Sequence, residues 1–492
     1  MKRARQSGIL LHITSLPGPL PNGVLGREAV DFMEKMAAAG SYVWQILPVG
    51  PTHGHGSPYE TLSTFAGNPQ MIDLRICVDE GLLDASMLQQ VCDGAVTMAE
   101  ARASMVTPFR RHWLDRDDWQ QFLVDNGSWL DDFALFVTIK QLQSGRAWWQ
   151  WSKPLRSRDG DALAEVVSCS ADLLLLVKME QFLFDRQWQK MRETAASLGI
   201  TLLGDLPIYV AHDSVDVWAN RHLFTVNGEG VCDEVAGVPP DYFSATGQRW
   251  GNPLYRWDIL QESGFAWWVE RVRRQHARVD SLRIDHFRGL EAYWAIPGEQ
   301  KDGRVGEWRK APGEALLHKV EEELGVLPLI AEDLGLITDE VHALRTNFAL
   351  PGMKVLQFAF GGGADNPYLP HNHTTDMVVY TGTHDNDTTL GWWQQQGVEL
   401  QEHLRHYFGM DDGATAEEVT HQLVRQAVAS VADIAIIPLQ DLLLLDSSAR
   451  LNTPGTVEGN WSWRVESDQL DCVPWQQLQR WNHLYGRGAG YG

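Results

Sequence analysis

Eight short apolar runs recur along the chain, and most end close to a glycine, a proline or an acid. Runs of this length with little polar interruption are typical of strands that are buried on both faces. The predicted strands are GILLHIT (8–14), YVWQILPV (42–49), ITLLGDLPIYV (200–210), DSLRIDHF (280–287), VLPLIAED (326–333), MKVLQFAF (353–360), DMVVYTGTHD (376–385) and ADIAIIPLQD (432–441).

Amphipathic helical patterns lie between most of these runs. In EAVDFMEKMAAAG (28–40), apolar residues recur at 30, 32, 33, 36 and 37, and Gly40 ends the pattern. Strands that alternate with helices indicate a parallel sheet. Eight such units predict an α/β fold of the (β/α)8 TIM-barrel type, within a single catalytic domain over 1–492.

Two intervals are too long for a single crossover helix. The interval 56–198 predicts an inserted, mainly helical subdomain after the second strand. A second insertion, 211–279, contains GVPPDYFSATGQRWGNPLYRW (237–257), which is rich in glycine, proline and aromatics and has no period. We interpret 237–257 as a long lid loop, and we expect no separate C-terminal β domain.

Composition narrows the class of ligand. The 492 residues carry 64 acids against 41 Lys and Arg, a net charge of −23, so nucleic acid is not an expected partner. The five cysteines show no metal-ligand spacing, and no apolar run is long enough for a signal peptide or a membrane span. We therefore expect a cytoplasmic enzyme.

The chain is rich in tryptophan, with 21 residues. We assign most of these tryptophans to the core, and only those on loops near the catalytic residues are candidates for stacking on sugars.

Four predicted strands carry an acid at their carboxyl end: Asp205, Asp285, Glu332 and Asp385. In barrels of this type the loops after the strands form the active face, so an acid there has a functional interpretation. A single strand-end acid is more often a helix cap or a turn residue. Four strand-end acids in one chain favour a catalytic role for this group.

Arg283 and Asp285 are two residues apart, so on a strand they point to the same face. The guanidinium should stabilise the ionised carboxylate, as a nucleophile requires. The alternative is a buried ion pair that closes the barrel. By the same alternation, His286 and Arg288 face away from Asp285, and we assign them to packing and loop support.

Glu332 follows Leu329, Ile330 and Ala331, which should desolvate its carboxyl and raise its pKa, as a general acid requires. Its neighbour Asp333 would face the opposite way. An anionic acid, a protonated acid and no metal-ligand set are the ingredients of retaining glycoside chemistry. Asp385 can serve as a third acid beside the developing charge, and Asp387 is the turn residue that competes with it.

Several stretches together resemble one family, the 4-alpha-glucanotransferases called amylomaltase or disproportionating enzyme, within the alpha-amylase superfamily. The resemblance runs nearly end to end. It rests on SLPGP (15–19), WQILPVGPTHGHGSPY (44–59), GDLPIYVAHDSVDVWA (204–219), GVPPDYFSATGQRWGNPLY (237–255), RIDHFRG (283–289), IAEDLG (330–335), PGMKVLQFAF (351–360), YTGTHDNDT (380–388), NTPGT and GNWSWR (452–464).

The resemblance implies that Asp285 is the nucleophile, Glu332 the acid/base and Asp385 the transition-state stabiliser. It also implies a set of substrate-binding residues, with a turn role for Asn452 as an open alternative: Tyr59, Asp205, Tyr242, Gln248, Trp250, Arg283, His384 and Asn452. The chain departs from the family at LPNGVLG, where Val24 stands in place of an expected acid.

The expected reaction is transfer of an alpha-1,4-glucan segment to the 4-hydroxyl of glucose or a maltooligosaccharide, without a cofactor or metal. The expected partners are these sugars alone, with no nucleic acid and no membrane. Two alternatives stay open. One is an alpha-1,4-glucan hydrolase with the same triad, because water can also open a glycosyl-enzyme. The other is a glucan-binding protein that has lost activity.

Overall fold

The computed structural model describes residues 5–240, 244–456 and 458–488. Within them the chain forms twelve strands. They are β1 (Gln6–Leu10), β2 (Val43–Gln45), β3 (Thr201–Pro207), β4 (Glu234–Val238), β5 (Gln248–Pro253), β6 (Ser281–Asp285), β7 (Ala292–Pro297), β8 (Glu307–Lys310), β9 (Leu329–Ala331), β10 (Gly352–Val355), β11 (Met377–Tyr380) and β12 (Ile434–Pro438).

Eight of these strands form one parallel sheet in the order β10-β11-β12-β1-β2-β3-β6-β9. The sheet closes where the Ala331 amide donates to the Pro351 carbonyl (2.8 Å), next to the start of β10. The Asp333 carboxylate supports the closure by accepting the Met353 amide (2.7 Å). The predicted (β/α)8 barrel is therefore confirmed.

All eight barrel strands fall within the predicted runs or overlap them, but they are shorter. The run 42–49 contributes only Val43–Gln45 to the barrel, because the chain then leaves the ladder for the loops of the active face. These loops stay apolar and buried, so a hydrophobic pattern alone extends the strands too far.

Twenty α-helices are present in the described residues. They are α1 (Arg27–Ala38), α2 (Leu74–Asp79), α3 (Ala85–Cys92), α4 (Met98–Ser104), α5 (Val106–His112), α6 (Asp117–Leu142), α7 (Lys153–Arg156), α8 (Gly160–Cys169), α9 (Ala171–Ser197), α10 (Val215–Ala219), α11 (Trp257–Glu262), α12 (Ala266–Arg278), α13 (Gly313–Leu324), α14 (Asp339–Asn347), α15 (Thr389–Gln394), α16 (Val398–Phe408), α17 (Ala416–Ala429), α18 (Leu439–Leu442), α19 (Ser467–Cys472) and α20 (Trp475–Leu484). None of the helices in these parts of the chain is long and apolar enough to cross a membrane.

The interval 56–198, which is described throughout, holds helices α2 to α9 and no strand. Its long helices α6 and α9 pack together around aromatic side chains such as Phe122 and Phe182, whose ring centroids are 5.4 Å apart. This content agrees with a helical insertion after β2, while its division from the barrel as a subdomain stays a prediction.

A second sheet of four antiparallel strands, in the order β5-β4-β7-β8, was not predicted. It corrects the interpretation of 237–257 as a loop, since β5 and the end of β4 lie in that segment. A Cβ on Gly237 would lie 2.2 Å from the Gln248 carbonyl oxygen, so only glycine allows these strands to approach. Such glycines erase the alternating pattern that predicts a strand.

Candidate active site

The carboxyl ends of the barrel strands open into a cleft of about 920 Å³. Parallel pairing sets Asp205 on β3 opposite Arg283 on β6, and β6 ends at Asp285. Glu332 follows β9 by one residue. The cleft wall combines barrel residues with residues of the second sheet, including Arg283, Asp285, Glu332, Asp385, Gln248 and Trp250.

A buried network lies beneath Asp285. Arg283 donates to both oxygens of Asp205 (2.9 and 2.5 Å), to the Tyr59 hydroxyl oxygen (3.0 Å) and to Asp285 Oδ1 (3.2 Å). The Tyr59 hydroxyl in turn donates to Asp205 Oδ2 (2.5 Å). The Asp205 side chain is completely buried. It therefore holds Arg283 from below rather than lining the cleft, and the sugar contact expected of it stays a prediction.

The Asp285 carboxyl sits at the bottom of the cleft with about a third of its side chain exposed (31%). Burial raises its pKa to about 6, Arg283 opposes this rise, and the carboxylates of Asp205 and Asp385 add to it. Arg283 was expected to hold Asp285 fully ionised. The arginine lowers the pKa as expected, but desolvation outweighs it because Asp205 already neutralises much of the guanidinium charge.

Glu332 has the environment expected of a proton donor. Burial and the nearby Asp285 carboxylate raise the pKa of Glu332 well above its usual value. The backbone amide of His286 donates to Glu332 Oε2 (2.6 Å) and fixes the carboxyl at the cleft wall. Asp333 points away and is buried, so the two neighbouring acids have separate roles.

Asp385 carries the lowest pKa of the three acids. Burial opposes its ionisation, but His384, Asn452 and Arg283 together lower the pKa of Asp385 below its usual range. Asn452 donates to Asp385 Oδ1 (2.6 Å), and His384 Nε2 lies 3.3 Å from the same oxygen. Asn452 thus contacts a catalytic candidate rather than only forming a turn. Asp387 accepts the Ser447 hydroxyl (2.6 Å), as befits a loop residue.

Three aromatic rings cluster beside Asp385. Tyr59 stacks on His384 with centroids 5.1 Å apart, and Trp461 lies 5.9 Å from Tyr59 and 6.0 Å from His384. Trp461 was not singled out from the sequence, although it belongs to the quoted segment GNWSWR. The backbone of Trp461 has a positive φ (61°), which is uncommon for a bulky residue. The sequence does not reveal this conformation, so it could not mark Trp461 as a site residue.

The second sheet covers the other side of the cleft. Trp250 on β5 packs its ring edge-to-face on His286 (4.8 Å), and its indole N–H donates to Gln248 Oε1 (3.0 Å). Tyr242 lies outside the described residues. His286 has φ of 56°, so β6 does not continue beyond Asp285 and the alternation argument fails there. As a correction, His286 and Arg288 line the cleft rather than facing away from it.

The unusual Val24 is buried (3% exposed) and does not line the cleft. A larger cavity of about 1160 Å³ lies elsewhere, among charged side chains of α1, α6 and α9, and contains none of the strand-end acids. Within residues 5–240, 244–456 and 458–488, no group of three or more His, Cys, Asp or Glu is arranged to hold a metal ion.

Comparisons with known proteins identify the family and support the fold. A sequence profile described as 4-alpha-glucanotransferase matches residues 11–470. The 4-alpha-glucanotransferase of Thermus thermophilus is 46% identical over 96% of each chain. The chloroplastic/amyloplastic 4-alpha-glucanotransferase of Solanum tuberosum is 43% identical over 98% of this chain and 86% of its own. The amylomaltase from Streptococcus agalactiae, solved in complex with acarbose, superposes with a TM-score of 0.94 at 35% identity, covering 99% of this chain and 100% of that one.

Proposed function

Because the chain belongs to the 4-alpha-glucanotransferase family, and so is a transglycosylase, we propose that it works by retaining double displacement through a covalent glycosyl-Asp285. The donor would be an alpha-1,4-glucan, and the acceptor the 4-hydroxyl of glucose or a maltooligosaccharide. One observation carries the mechanism. Two carboxyl groups line the same cleft: Arg283 donates to Asp285 and favours its ionised form, while burial and the neighbouring Asp285 carboxylate raise the pKa of Glu332 well above its usual value and favour its protonated form.

In the first step, Asp285 attacks the anomeric carbon while Glu332 gives its proton to the glycosidic oxygen. The bond from carbon to the leaving sugar breaks, and an ester bond to Asp285 forms. Arg283 lies 3.2 Å from Asp285 Oδ1 and aligns the attacking carboxylate from below. Asp385, with its lowered pKa, stays anionic beside the developing positive charge of the sugar ring.

In the second step, Glu332 takes the proton of the acceptor's 4-hydroxyl, and the acceptor oxygen displaces Asp285. Water can also displace Asp285, which gives hydrolysis instead of transfer. The ratio of transfer to hydrolysis therefore depends on how well an acceptor sugar competes with water. Gln248 and Trp250 stand over the cleft, and we assign them, with the predicted Tyr242, to holding the glucan and excluding water. Tyr59, His384 and Trp461 surround Asp385 and would support the donor sugar.

The products from maltotriose test transfer against hydrolysis. We expect the purified protein to yield glucose together with a ladder of longer maltooligosaccharides, measured by anion-exchange chromatography. Glucose and maltose without any longer product would identify a hydrolase instead. No turnover would favour the glucan-binding alternative.

Azide trapping tests which carboxylate is the nucleophile. In Asp285→Gly, activity should fall by about four orders of magnitude or more. With α-maltotriosyl fluoride and azide, this variant should form the β-glycosyl azide, because azide replaces the missing carboxylate and fluoride leaves from the opposite face.

Glu332→Ala provides the matched control. Its Asp285 is intact, so azide can attack only the glycosyl-enzyme and should give the α-glycosyl azide. The same anomer from both variants, read by nuclear magnetic resonance, would contradict the assigned roles.

A further inference from the structure

We propose that Trp308 and Arg288 form a distal subsite that binds a glucosyl unit of the acceptor, beyond the sugar that contacts Glu332. This inference rests on the proposed function and adds a determinant of acceptor length to it. The subsite lies on β8 of the second sheet and at the junction of that sheet with the barrel, and the mechanism assigns no role to either Trp308 or Arg288.

Trp308 occupies the active cleft although it lies outside the barrel. It is on β8, and its side chain lines the same cavity as Asp285 and Glu332. The tryptophan is 38% exposed, so part of its indole surface is accessible to a ligand in the cleft. An exposed indole within a sugar-binding cleft offers an apolar surface to the C–H face of a glucose ring.

Arg288 supplies the polar half of the subsite. Its guanidinium carbon lies 3.8 Å from the centroid of the Trp308 ring, within stacking distance. One terminal nitrogen donates to the Leu336 carbonyl, and the residue is only 8% exposed. Its Nε is buried and has no hydrogen-bond partner among the described residues. The side chain as a whole lines the cleft, where a terminal N–H that Leu336 does not engage can donate to a sugar hydroxyl.

Neighbouring residues hold the Trp308 ring in place. Trp294, opposite Trp308 on β7, packs against it with ring centroids 5.3 Å apart, and its indole N–H donates to the Gly303 carbonyl (3.0 Å). A Cβ on Gly303 would lie 2.2 Å from the Val238 carbonyl oxygen, so glycine lets the β7–β8 turn rest directly on β4. Little side-chain entropy is lost when a sugar binds to a surface held in place this way.

Arg288 and Trp308 lie beside the loop that follows Glu332, and this position assigns them to the acceptor side of the cleft. Arg288 bonds to Leu336, and the segment Leu334–Leu336 that follows Glu332 lines the cleft beside it. The proton donor must stand next to the leaving or accepting oxygen. Asp385 and its partners His384 and Asn452 lie on different loops, beside the donor ring. A glucan chain that passes Glu332 therefore reaches Arg288 and Trp308.

A donor that leaves the acceptor side empty isolates this subsite. With α-maltotriosyl fluoride, fluoride release reports formation of the glycosyl-enzyme, and transfer is then measured with glucose, maltose, maltotriose and maltotetraose as acceptors. In Trp308→Ala, the concentration for half-maximal transfer should rise about five- to tenfold for maltotriose and maltotetraose, as expected for a lost aromatic contact. It should be unchanged for glucose. Trp308→Phe should lie between the two, which also guards against a folding defect in the alanine variant.

Val305→Ala is the matched control, because Val305 is exposed (51%) in the same β7–β8 turn but does not line the cleft. It should behave like the wild type with every acceptor. Equal effects of Trp308→Ala on glucose and on maltotetraose, or no effect on either, would overturn the subsite. A wild-type protein that releases no fluoride would instead overturn the proposed function, and the subsite with it.

Discussion

The pKa values of Asp285 and Glu332 give the activity a defined pH dependence. Burial raises the pKa of Asp285 to about 6, and the nucleophile must be ionised, so kcat/KM should fall as the pH drops through about 6. Glu332 must be protonated in the first step, and its pKa is raised well above the usual value. Activity should therefore also fall as the pH rises through that pKa, which gives a bell-shaped profile for maltotriose.

A fluoride donor separates the two limbs of this profile. Fluoride leaves with little help from a proton, so the rate of fluoride release should lose its alkaline limb and keep the acid limb near pH 6. Glu332→Gln should show the same profile with this donor. An acid limb that disappears in Glu332→Gln would mean that Glu332, and not Asp285, sets it.

Among the elements, α12 carries a buried arginine, Arg271, that ties it to the barrel. Arg271 is 1% exposed and donates to the carbonyls of Pro207 (2.5 Å) and Ile208 (3.1 Å), at the end of β3. It also donates to the hydroxyl groups of Thr64 (2.8 Å) and Tyr255 (3.1 Å). Arg271→Ala would remove these four hydrogen bonds, although Tyr255 would still donate to the Ile208 carbonyl (2.7 Å). We expect a loss of about 3 kcal/mol in the free energy of unfolding.

The neighbouring arginine of the same helix provides the comparison. Arg273 is about half exposed (47%) and pairs with Glu270, so Arg273→Ala should change stability by less than about 1 kcal/mol. Thermal midpoints of both variants, read by circular dichroism, check this. Equal midpoints would mean that Arg271 does not fix α12 to the barrel.

For the whole molecule, the end of the described chain ties the barrel together at the face away from the cleft. Arg487 is 3% exposed and donates to the carbonyls of Gln6 (2.6 Å), Val428 (2.6 Å), Ser430 (2.8 Å) and Ala432 (2.8 Å). These residues flank the starts of β1 and β12, which pair with each other. Arg487→Ala should lower the thermal midpoint by several degrees and leave kcat/KM at 25 °C unchanged.

Arg480 on α20 is exposed, and Arg480→Ala should leave the thermal midpoint unaltered. A fall in kcat/KM for Arg487→Ala at a temperature where the protein is folded would show instead that this end of the barrel is coupled to the active face.

The barrel and the position of the candidate acids at its cleft could be predicted because their signals are local. A buried parallel strand is a continuous apolar run, and an acid at its end stands out against that background, as Asp285 and Glu332 do. The second sheet could not be predicted in this way. Its strands carry glycines and prolines where strands approach closely, as at Gly237, and β7 and β8 lie far along the chain from β4.

The roles of the residues around the acids could be assigned only from their arrangement in space. Asp205 and Asp285 look alike in the sequence, yet one is completely buried under Arg283 and the other lines the cleft. Arg288 looked like loop support because alternation was carried past the end of β6, which stops at Asp285. The sequence did not single out Trp308 as a binding residue. A tryptophan in a polar hairpin can be told apart from a tryptophan of the core only once its exposure is known.

The sequence by itself determined the barrel and the strand-end acids that line its cleft, because periodicity and strand-end position are properties of the chain alone, and its resemblance to one family gave the class of enzyme. Tertiary structure decided the pKa values of those acids and which other side chains contact them. Desolvation and charge–charge coupling depend on distances between residues far apart in sequence, such as Arg283 to Asp205 and Asn452 to Asp385. Part of the cleft wall likewise comes from a separate sheet, whose position beside the barrel no local pattern specifies.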